Sequence, residues 1–163
     1  MTRVTTVLGI DPGTRRTGYG VVEVRDGALR HVSSGVISPP ARAELAERLL
    51  VIHRDLASVV AAHRPDAVAV EDIFFARHAK GALALGHARG VALLAASLAG
   101  IPVHSYPPAR VKRALSGHGR ADKGQIARLV SMLLHLPPQL AEDRADALSI
   151  AICHAAAAGW LVR

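Results

Sequence analysis

The sequence predicts an α/β fold in which a mixed sheet is covered by helices on both faces. Two observations predict it: three β-branched apolar segments with turn signals between them open the chain, and helical and strand-like segments then alternate. Half of the 163 residues are hydrophobic and 20% are charged. This composition is typical of a domain with a buried core and excludes a disordered chain.

The first three elements are predicted to be antiparallel strands. The apolar run Val4–Ile10 is rich in β-branched residues and ends at Asp11, so it is read as a strand. Two further strands are predicted over Thr17–Val24 and Leu29–Ile37. The dipeptide Asp26-Gly27 between them is a strong signal for a tight hairpin.

The rest of the chain is predicted to alternate helices with short strands. Between Ala41 and His63, apolar residues recur at the three- and four-residue spacing of an amphipathic helix. The other elements are, in order, a strand over Ala67–Val70 that ends at Glu71, a helix from about His78 to Ala99, a strand over Ile101–Tyr106, and helices over 108–115, Ala121–Leu134 and about Glu142–Ala157. No repeat or linker interrupts this order, so we expect one domain over residues 1–163.

The charge of the chain favours a polyanionic partner such as nucleic acid or an anionic membrane surface. The net charge is +7 and the isoelectric point is near 10.7. Most of this charge lies in one segment, because residues 110–128 contain six cations and a single acid. The six cations are Arg110, Lys112, Arg113, Arg120, Lys123 and Arg128.

Cysteine content and apolar runs point to the cytoplasm. The single cysteine, Cys153, excludes an intramolecular disulfide and a cysteine-based zinc site. Residues 1–20 contain several charges and no continuous apolar run, unlike a signal peptide. The longest apolar run, 91–101, is far shorter than the roughly 20 residues that span a bilayer. We therefore expect a cytoplasmic protein without a membrane partner.

Four acids lie in or beside apolar sequence, at positions where a functional site is expected. Asp11 and Glu71 each end a strand, and if these strands are parallel neighbours both carboxylates emerge at the same sheet edge. Asp143 and Asp146 are three residues apart on a predicted helix and share one of its faces. Such a cluster repels itself unless cations occupy it, and oxygen ligands suit Mg²⁺ or Mn²⁺.

Each acid taken alone has a simpler interpretation. Asp143 would complement the dipole of a helix start or cap it. Asp11 would belong to an ordinary turn with Pro12 and Gly13. Asp72, next to Glu71, is interpreted as a solvated neighbour rather than a ligand. The prediction of a metal site therefore depends on all four acids meeting.

Five motifs follow one another along nearly the whole chain. They are Gly9-Ile10-Asp11-Pro12-Gly13-Thr14 with Thr17-Gly18-Tyr19-Gly20, then Val70-Glu71-Asp72-Ile73-Phe74-Phe75, Gly86-His87-Ala88-Arg89-Gly90, Pro107-Pro108-Ala109-Arg110-Val111-Lys112 and Asp143-Arg144-Ala145-Asp146-Ala147-Leu148. In this order they resemble the RuvC family of Holliday-junction resolvases. The resemblance implies an RNase H-like fold, with a five-stranded mixed sheet of three antiparallel and two parallel strands. It also implies a homodimer that binds a four-way DNA junction, with the RuvA and RuvB branch-migration proteins as possible partners.

The resemblance also assigns roles to single residues. It places Asp11, Glu71, Asp143 and Asp146 on the family's metal-binding carboxylates. Phe74 matches the aromatic side chain that stacks on bases near the junction centre, whereas Phe75 matches no role. Lys112 and Lys123 match basic residues that contact the scissile backbone. The neighbouring Arg110, Arg113 and Arg120 are further candidates for DNA contacts.

The mechanism implied by the resemblance is two-metal hydrolysis. Two Mg²⁺ ions, for which Mn²⁺ can substitute, would activate a water molecule and neutralise the leaving 3′-oxygen. Two strands of like polarity would be nicked symmetrically, each with a 5′-phosphate and a ligatable end. From spacing alone, Lys123 would be a surface residue and Phe74 a core residue, so both roles depend on the resemblance.

Other interpretations remain open at this point. One rival is an RNase H-like nuclease that acts on RNA, of the pre-rRNA-processing YqgF type. Another is a non-catalytic junction-binding protein, although four intact acids argue against it. Gly81, Gly86 and Gly90 on the second long helix would permit close packing, either onto its own sheet or against a second copy of the chain.

Overall fold

Strands and helices form close to where the sequence predicts them. The computed structural model of the chain describes residues 4–72 and 78–161. These residues form β1 (Val4–Asp11), β2 (Thr17–Arg25), β3 (Ala28–Ile37), α1 (Leu45–His63), β4 (Ala67–Glu71), α2 (Ala79–Leu98), β5 (Val103–Tyr106), α3 (Pro108–Ser116), α4 (Lys123–Leu133) and α5 (Glu142–Ala157).

The five strands build one mixed sheet in the order β3-β2-β1-β4-β5. β1, β2 and β3 are antiparallel, and the hairpin turns at Asp26 and Gly27, both of which have positive φ. β4 pairs parallel to β1, and β5 pairs parallel to β4. This confirms the predicted fold class, with three antiparallel and two parallel strands.

Each face of the sheet has its own core, because side chains alternate along a strand. Val7 and Val22 point to the face covered by α3, α4 and α5, where they pack with Leu148 and Ile152. On the opposite face, α1 and α2 pack on buried aliphatic residues, namely Leu8, Ile10, Val21, Val68 and Val70. Helices therefore cover both faces, as predicted. Cys153 is a residue of α5 and is buried in the core on this helix's face of the sheet.

The largest differences from the predicted bounds are at element starts. α1 begins at Leu45 rather than at Ala41, because the chain first makes a turn in which the Ala43 N–H donates to the Pro40 carbonyl. α4 begins at Lys123 rather than at Ala121. The Asp122 side chain accepts from the Gln125 N–H and the Gln125 side chain accepts from the Asp122 N–H, which is a capping box that fixes the helix start.

α2 is apolar over most of its length, although its continuous apolar runs are short. It is long and apolar enough to cross a membrane on length and composition, with a mean hydropathy of 1.4. Ala92, Ala95 and Ala96 pack into the core that α1 shares, although only 22% of the apolar stretch is buried. Its outer side exposes Leu83, Leu94 and Leu98.

Candidate active site

Parallel pairing of β1 and β4 brings two predicted acids to one edge of the sheet. Ile10 lies opposite Val70 in the register, so the next residues, Asp11 and Glu71, are neighbours. Asp11 is the last residue of β1 and Glu71 the last of β4. The carboxyl ends of parallel strands are where α/β sheets place their ligands.

Glycines on the sheet let α5 carry the other two acids to this edge. A Cβ atom added to Gly9 would lie 2.1 Å from the Ala147 carbonyl oxygen, and one added to Gly18 would lie 2.1 Å from the Asp143 carbonyl oxygen. Real Cβ atoms do not approach oxygen so closely, so only glycine permits this packing. The start of α5 is also held to β3, because the Arg144 guanidinium donates to the Ser34 hydroxyl at 2.8 Å.

The four acids influence one another electrostatically. Burial raises the pKa of the Asp11 carboxyl, and the charges of the other three acids act in the same direction, so that its pKa is about 7. Burial, followed by the charge of Asp146, also raises the pKa of Glu71. The sequence prediction that these acids meet is therefore supported by their geometry and their mutual repulsion.

Two cations contact the α5 acids in the structure. The Arg16 guanidinium donates to Asp143 at 2.6 Å. The Lys123 ammonium forms an ion pair with Glu142 and lies 3.5 Å from an Asp146 oxygen. The hydrogen bond that Lys123 donates to the Glu142 carboxylate raises the pKa of Lys123. Burial raises the pKa of Asp146, although Lys123 opposes this rise.

The acids suit a divalent cation by chemistry but are not arranged around one. Within residues 4–72 and 78–161, no three Asp, Glu, His or Cys side chains converge as a ready ligand set. Carboxylate oxygens are nevertheless the ligands that Mg²⁺ and Mn²⁺ prefer. Burial is the largest cause of the raised pKa values of Asp11, Glu71 and Asp146, and the charges of neighbouring carboxylates add to it.

A cavity of about 230 Å³ opens beside the acids and holds both predicted lysines. Glu71 and Asp146 line it together with Lys112 and Lys123. Lys112 is close enough to Glu71 to lower the pKa of that carboxyl, against the effect of burial. α3 thus supplies one lysine to the cavity and α4 supplies the other.

The arginines predicted to contact DNA lie outside the lining of this cavity. The Arg110 guanidinium lies over the Tyr106 ring, 5.1 Å from its centroid. Arg113 and Arg120 are exposed near the cavity-lining elements, but they do not line the cavity itself. Phe74 and Phe75 lie outside the described residues, so the stacking role of Phe74 stays a prediction.

Sequence reasoning missed three residues whose contacts organise the site. Arg89 on α2 donates to the Glu71 carbonyl at 3.2 Å and to the Ser105 hydroxyl at 2.7 Å, so it ties together the ends of β4 and β5. Arg89 also forms an ion pair with Asp72, so this acid helps to hold α2 to the end of β4. The partners Glu142 and Arg16 were likewise not predicted, because each contact joins elements far apart in sequence.

Comparison with known proteins decides the family. The family model described as "Crossover junction endodeoxyribonuclease RuvC" matches residues 7–154. The chain belongs to the RuvC family. RuvC of Halorhodospira halophila is 53% identical over 153 residues, covering 93% of this chain and 90% of that protein. RuvC of Citrifermentans bemidjiense is 47% identical over 153 residues, covering 94% of this chain and 93% of that protein.

Solved RuvC structures agree in fold. T. thermophilus RuvC in complex with a Holliday junction substrate superimposes with a TM-score of 0.89 at 40% identity, covering 94% of both chains. The yeast mitochondrial Holliday junction resolvase Ydc2 gives a TM-score of 0.68 at 14% identity, covering 91% of this chain and 77% of that one, and shares the fold. RuvC enzymes are metal-dependent nucleases, and their sheet is RNase H-like.

Proposed function

We propose that this chain resolves four-way DNA junctions by nicking two strands of like polarity at symmetrical positions. The observation that carries the proposal is the meeting of Asp11, Glu71 and the two α5 acids at one sheet edge, in a member of the RuvC family. The products are nicks with a 5′-phosphate that can be ligated directly. The reaction belongs to homologous recombination and DNA repair in the cytoplasm.

The four acids are proposed to hold Mg²⁺, with Mn²⁺ as a substitute. When bound, two such ions would supply an activated water and stabilise the leaving 3′-oxygen. The acids position charge and do not need to carry protons. Arg16 and Lys123 are proposed to leave Asp143 and Asp146 as cations enter, because both side chains are more than half exposed and can move.

The two cavity lysines are proposed to act on the DNA backbone. Lys112 and Lys123 line the cavity with Glu71 and Asp146, so a phosphate placed at the acids is within their reach. Their positive charge would stabilise the extra negative charge that develops on the phosphoryl group. Arg110, Arg113 and Arg120 are proposed to contact phosphates farther along the strand, and Phe74 is proposed to stack on a base.

A homodimer is proposed because a junction offers two equivalent sites and a symmetric enzyme matches them. The outer side of α2 suits such a contact. Leu83, Leu94 and Leu98 are 51–70% exposed there, and Cβ atoms added to Gly81, Gly86 or Gly90 would have no neighbouring side chain of the described residues within 4 Å. Residues 1–163 are proposed to act as one domain, and RuvA and RuvB are proposed as further partners.

Cleavage of labelled substrates tests the function. A four-way junction, a matched linear duplex and an RNA/DNA hybrid are incubated with the full chain in Mg²⁺, Mn²⁺ or EDTA. We expect paired, ligatable nicks in the junction alone, and only with a metal. Cleavage of the hybrid instead would favour the RNA-directed nuclease, and binding without nicks would favour a non-catalytic junction-binding protein.

A further inference from the structure

A second cavity, outside the acid site, is lined by three arginines. Its volume is about 320 Å³. We call it the arginine pocket, and it is lined by Arg15, Arg16, Ser38, Pro39, Ala41 and Arg48. No acid belongs to this lining, so the pocket combines a concave shape with positive charge.

Three segments of the chain build the arginine pocket. The turn after β1 supplies Arg15 and Arg16, and this turn is fixed because the Thr17 hydroxyl donates to the Gly13 carbonyl at 2.8 Å. The loop after β3 supplies Ser38 and the buried Pro39. The first turn of α1 supplies Arg48.

Arg48 is held in place without having its charge neutralised. One terminal nitrogen of its guanidinium donates to the Ala41 carbonyl at 2.7 Å. Its Nε is buried and has no hydrogen-bond partner within the described part of the chain. The guanidinium is therefore oriented by a neutral carbonyl, and its positive charge remains at the pocket.

Two of the three arginines, Arg15 and Arg48, keep the pocket positive. Neither Arg15 nor Arg48 forms an ion pair with any described residue, and Arg16 pairs with Asp143 alone. Three guanidinium groups around one cavity repel one another unless an anion lies between them. Guanidinium groups match the oxygens of a phosphate especially well, because they donate two parallel hydrogen bonds.

We propose that the arginine pocket binds a backbone phosphate of the junction DNA, on the strand that passes over the acids. Arg16 lines the pocket and also touches Asp143 at 2.6 Å, so one side chain separates the pocket from the acid site. A bound phosphate therefore fixes the direction in which the strand enters the site. This inference rests on the proposed function, since it assumes a DNA substrate.

Junction binding in EDTA tests the pocket without requiring catalysis. Affinity of a fluorescent four-way junction is measured by anisotropy over a series of salt concentrations. We expect Arg15→Gln and Arg48→Gln each to weaken binding about tenfold and to reduce the slope of log K against log salt by about 1, the change expected for one lost phosphate contact. The matched control is Arg30→Gln, which removes the same charge from an exposed residue of β3 near the opposite end of the sheet. It is expected to change affinity less than twofold.

Neutral methylphosphonate linkages then distinguish backbone phosphate from free phosphate. Placed singly along the nicked strand, one linkage near the cleavage position should weaken wild-type binding but leave Arg48→Gln unaffected. Pocket variants that bind like Arg30→Gln would overturn the proposal, and so would stabilisation of the wild type by inorganic phosphate with no defect in DNA binding. Should Arg48→Gln fail to fold, Arg15→Gln carries the same test, since its side chain is exposed.

The two proposals fail in distinguishable ways. A wild-type chain that neither binds nor nicks junctions overturns the proposed function itself. A wild-type chain that nicks junctions normally, with pocket variants that match the Arg30→Gln control, overturns only the pocket.

Discussion

The glycines on the sheet and the glycines on α2 have opposite surroundings. Side chains added to Gly9, Gly18 or Gly20 would collide with α5, with the nearest atoms at 2.1–2.6 Å. Side chains added to Gly81, Gly86 or Gly90 would meet no described atom within 4 Å. The glycines of the sheet let α5 pack closely against it, whereas the glycines of α2 lie where no described residue packs against the helix.

This difference separates the chemical side of the molecule from its proposed assembly side. α5 approaches β1 and β2 so closely that its backbone fixes where Asp143 and Asp146 lie. α2 contributes mainly alanines to the core and turns leucines outward. Changes on the α5 side should therefore impair catalysis and folding, and changes on the α2 side should affect contacts between copies.

The largest effect is expected from Asp146→Asn. Loss of this carboxylate should reduce nicking by roughly a thousandfold or more, because ions at such a site supply several kcal/mol of charge stabilisation. Junction affinity should stay within a few-fold of the wild type. Rates from single-turnover cleavage and affinities from anisotropy measure both effects. The matched control is Asp55→Asn on α1, because among the described residues Asp55 forms an ion pair only with its neighbour Arg54. If Asp146→Asn also loses junction binding, the role of Asp146 is structural.

Gly18→Ala tests the close approach of α5 directly. The new methyl group would lie 2.1 Å from the Asp143 carbonyl oxygen, so α5 must move. We expect a loss of about 3 kcal/mol in the free energy of unfolding, as for an overpacked core, together with slower nicking. Urea denaturation followed by far-UV circular dichroism measures the loss. Unchanged stability would mean that α5 is not held as closely as described.

Asp11→Asn should stabilise the metal-free protein at neutral and alkaline pH. The folded-state pKa of Asp11 is about 7, well above its ordinary value of 3.8. Between these values the folded chain binds a proton that the unfolded chain has lost, so the free energy of unfolding falls as pH rises through this range.

Removing the charge at pH 8 should therefore raise the free energy of unfolding by at most about 4 kcal/mol, whereas at pH 4 the variant should differ little from the wild type. Thermal unfolding in EDTA at both pH values measures this. If the stability difference between the variant and the wild type is the same at both pH values, the charge of Asp11 does not destabilise the folded chain.

The smallest effect is expected from Gly86→Ala. Alanine favours helix over glycine by about 1 kcal/mol, and no atom of the described chain blocks the added methyl group. The free energy of unfolding should rise by 0.5–1 kcal/mol, by about the helix propensity alone. Sedimentation of the same variant gives the second readout, and a weakened dimer would place Gly86 inside the contact between copies.

The strand-end acids could be predicted from sequence because the rule behind them is local. An apolar strand that ends in a carboxylate marks a sheet edge, and parallel order then brings Asp11 and Glu71 together. The pair Asp143 and Asp146 follows from helical spacing. The family resemblance added the assignment of Lys112 and Lys123 to the same place, and both line the cavity.

Contacts that depend on tertiary packing could not be predicted in this way. Arg89 belongs to a recognised motif, but its bonds to the ends of β4 and β5 depend on where α2 packs. The ion pair of Arg16 with Asp143 joins residues 127 positions apart, and no sequence periodicity predicts it. The glycines of α2 were open to two interpretations, and their surroundings became clear only once the sheet and its helices were in place.

The position of α5 in the chain has a consequence for how the protein matures. The helix that contributes two of the four acids also covers the faces of β1 and β2, and it lies more than 100 residues after them. Such distant contacts form late in folding. A growing chain on the ribosome therefore assembles its acid cluster only after α5 has been made and has packed against β1 and β2.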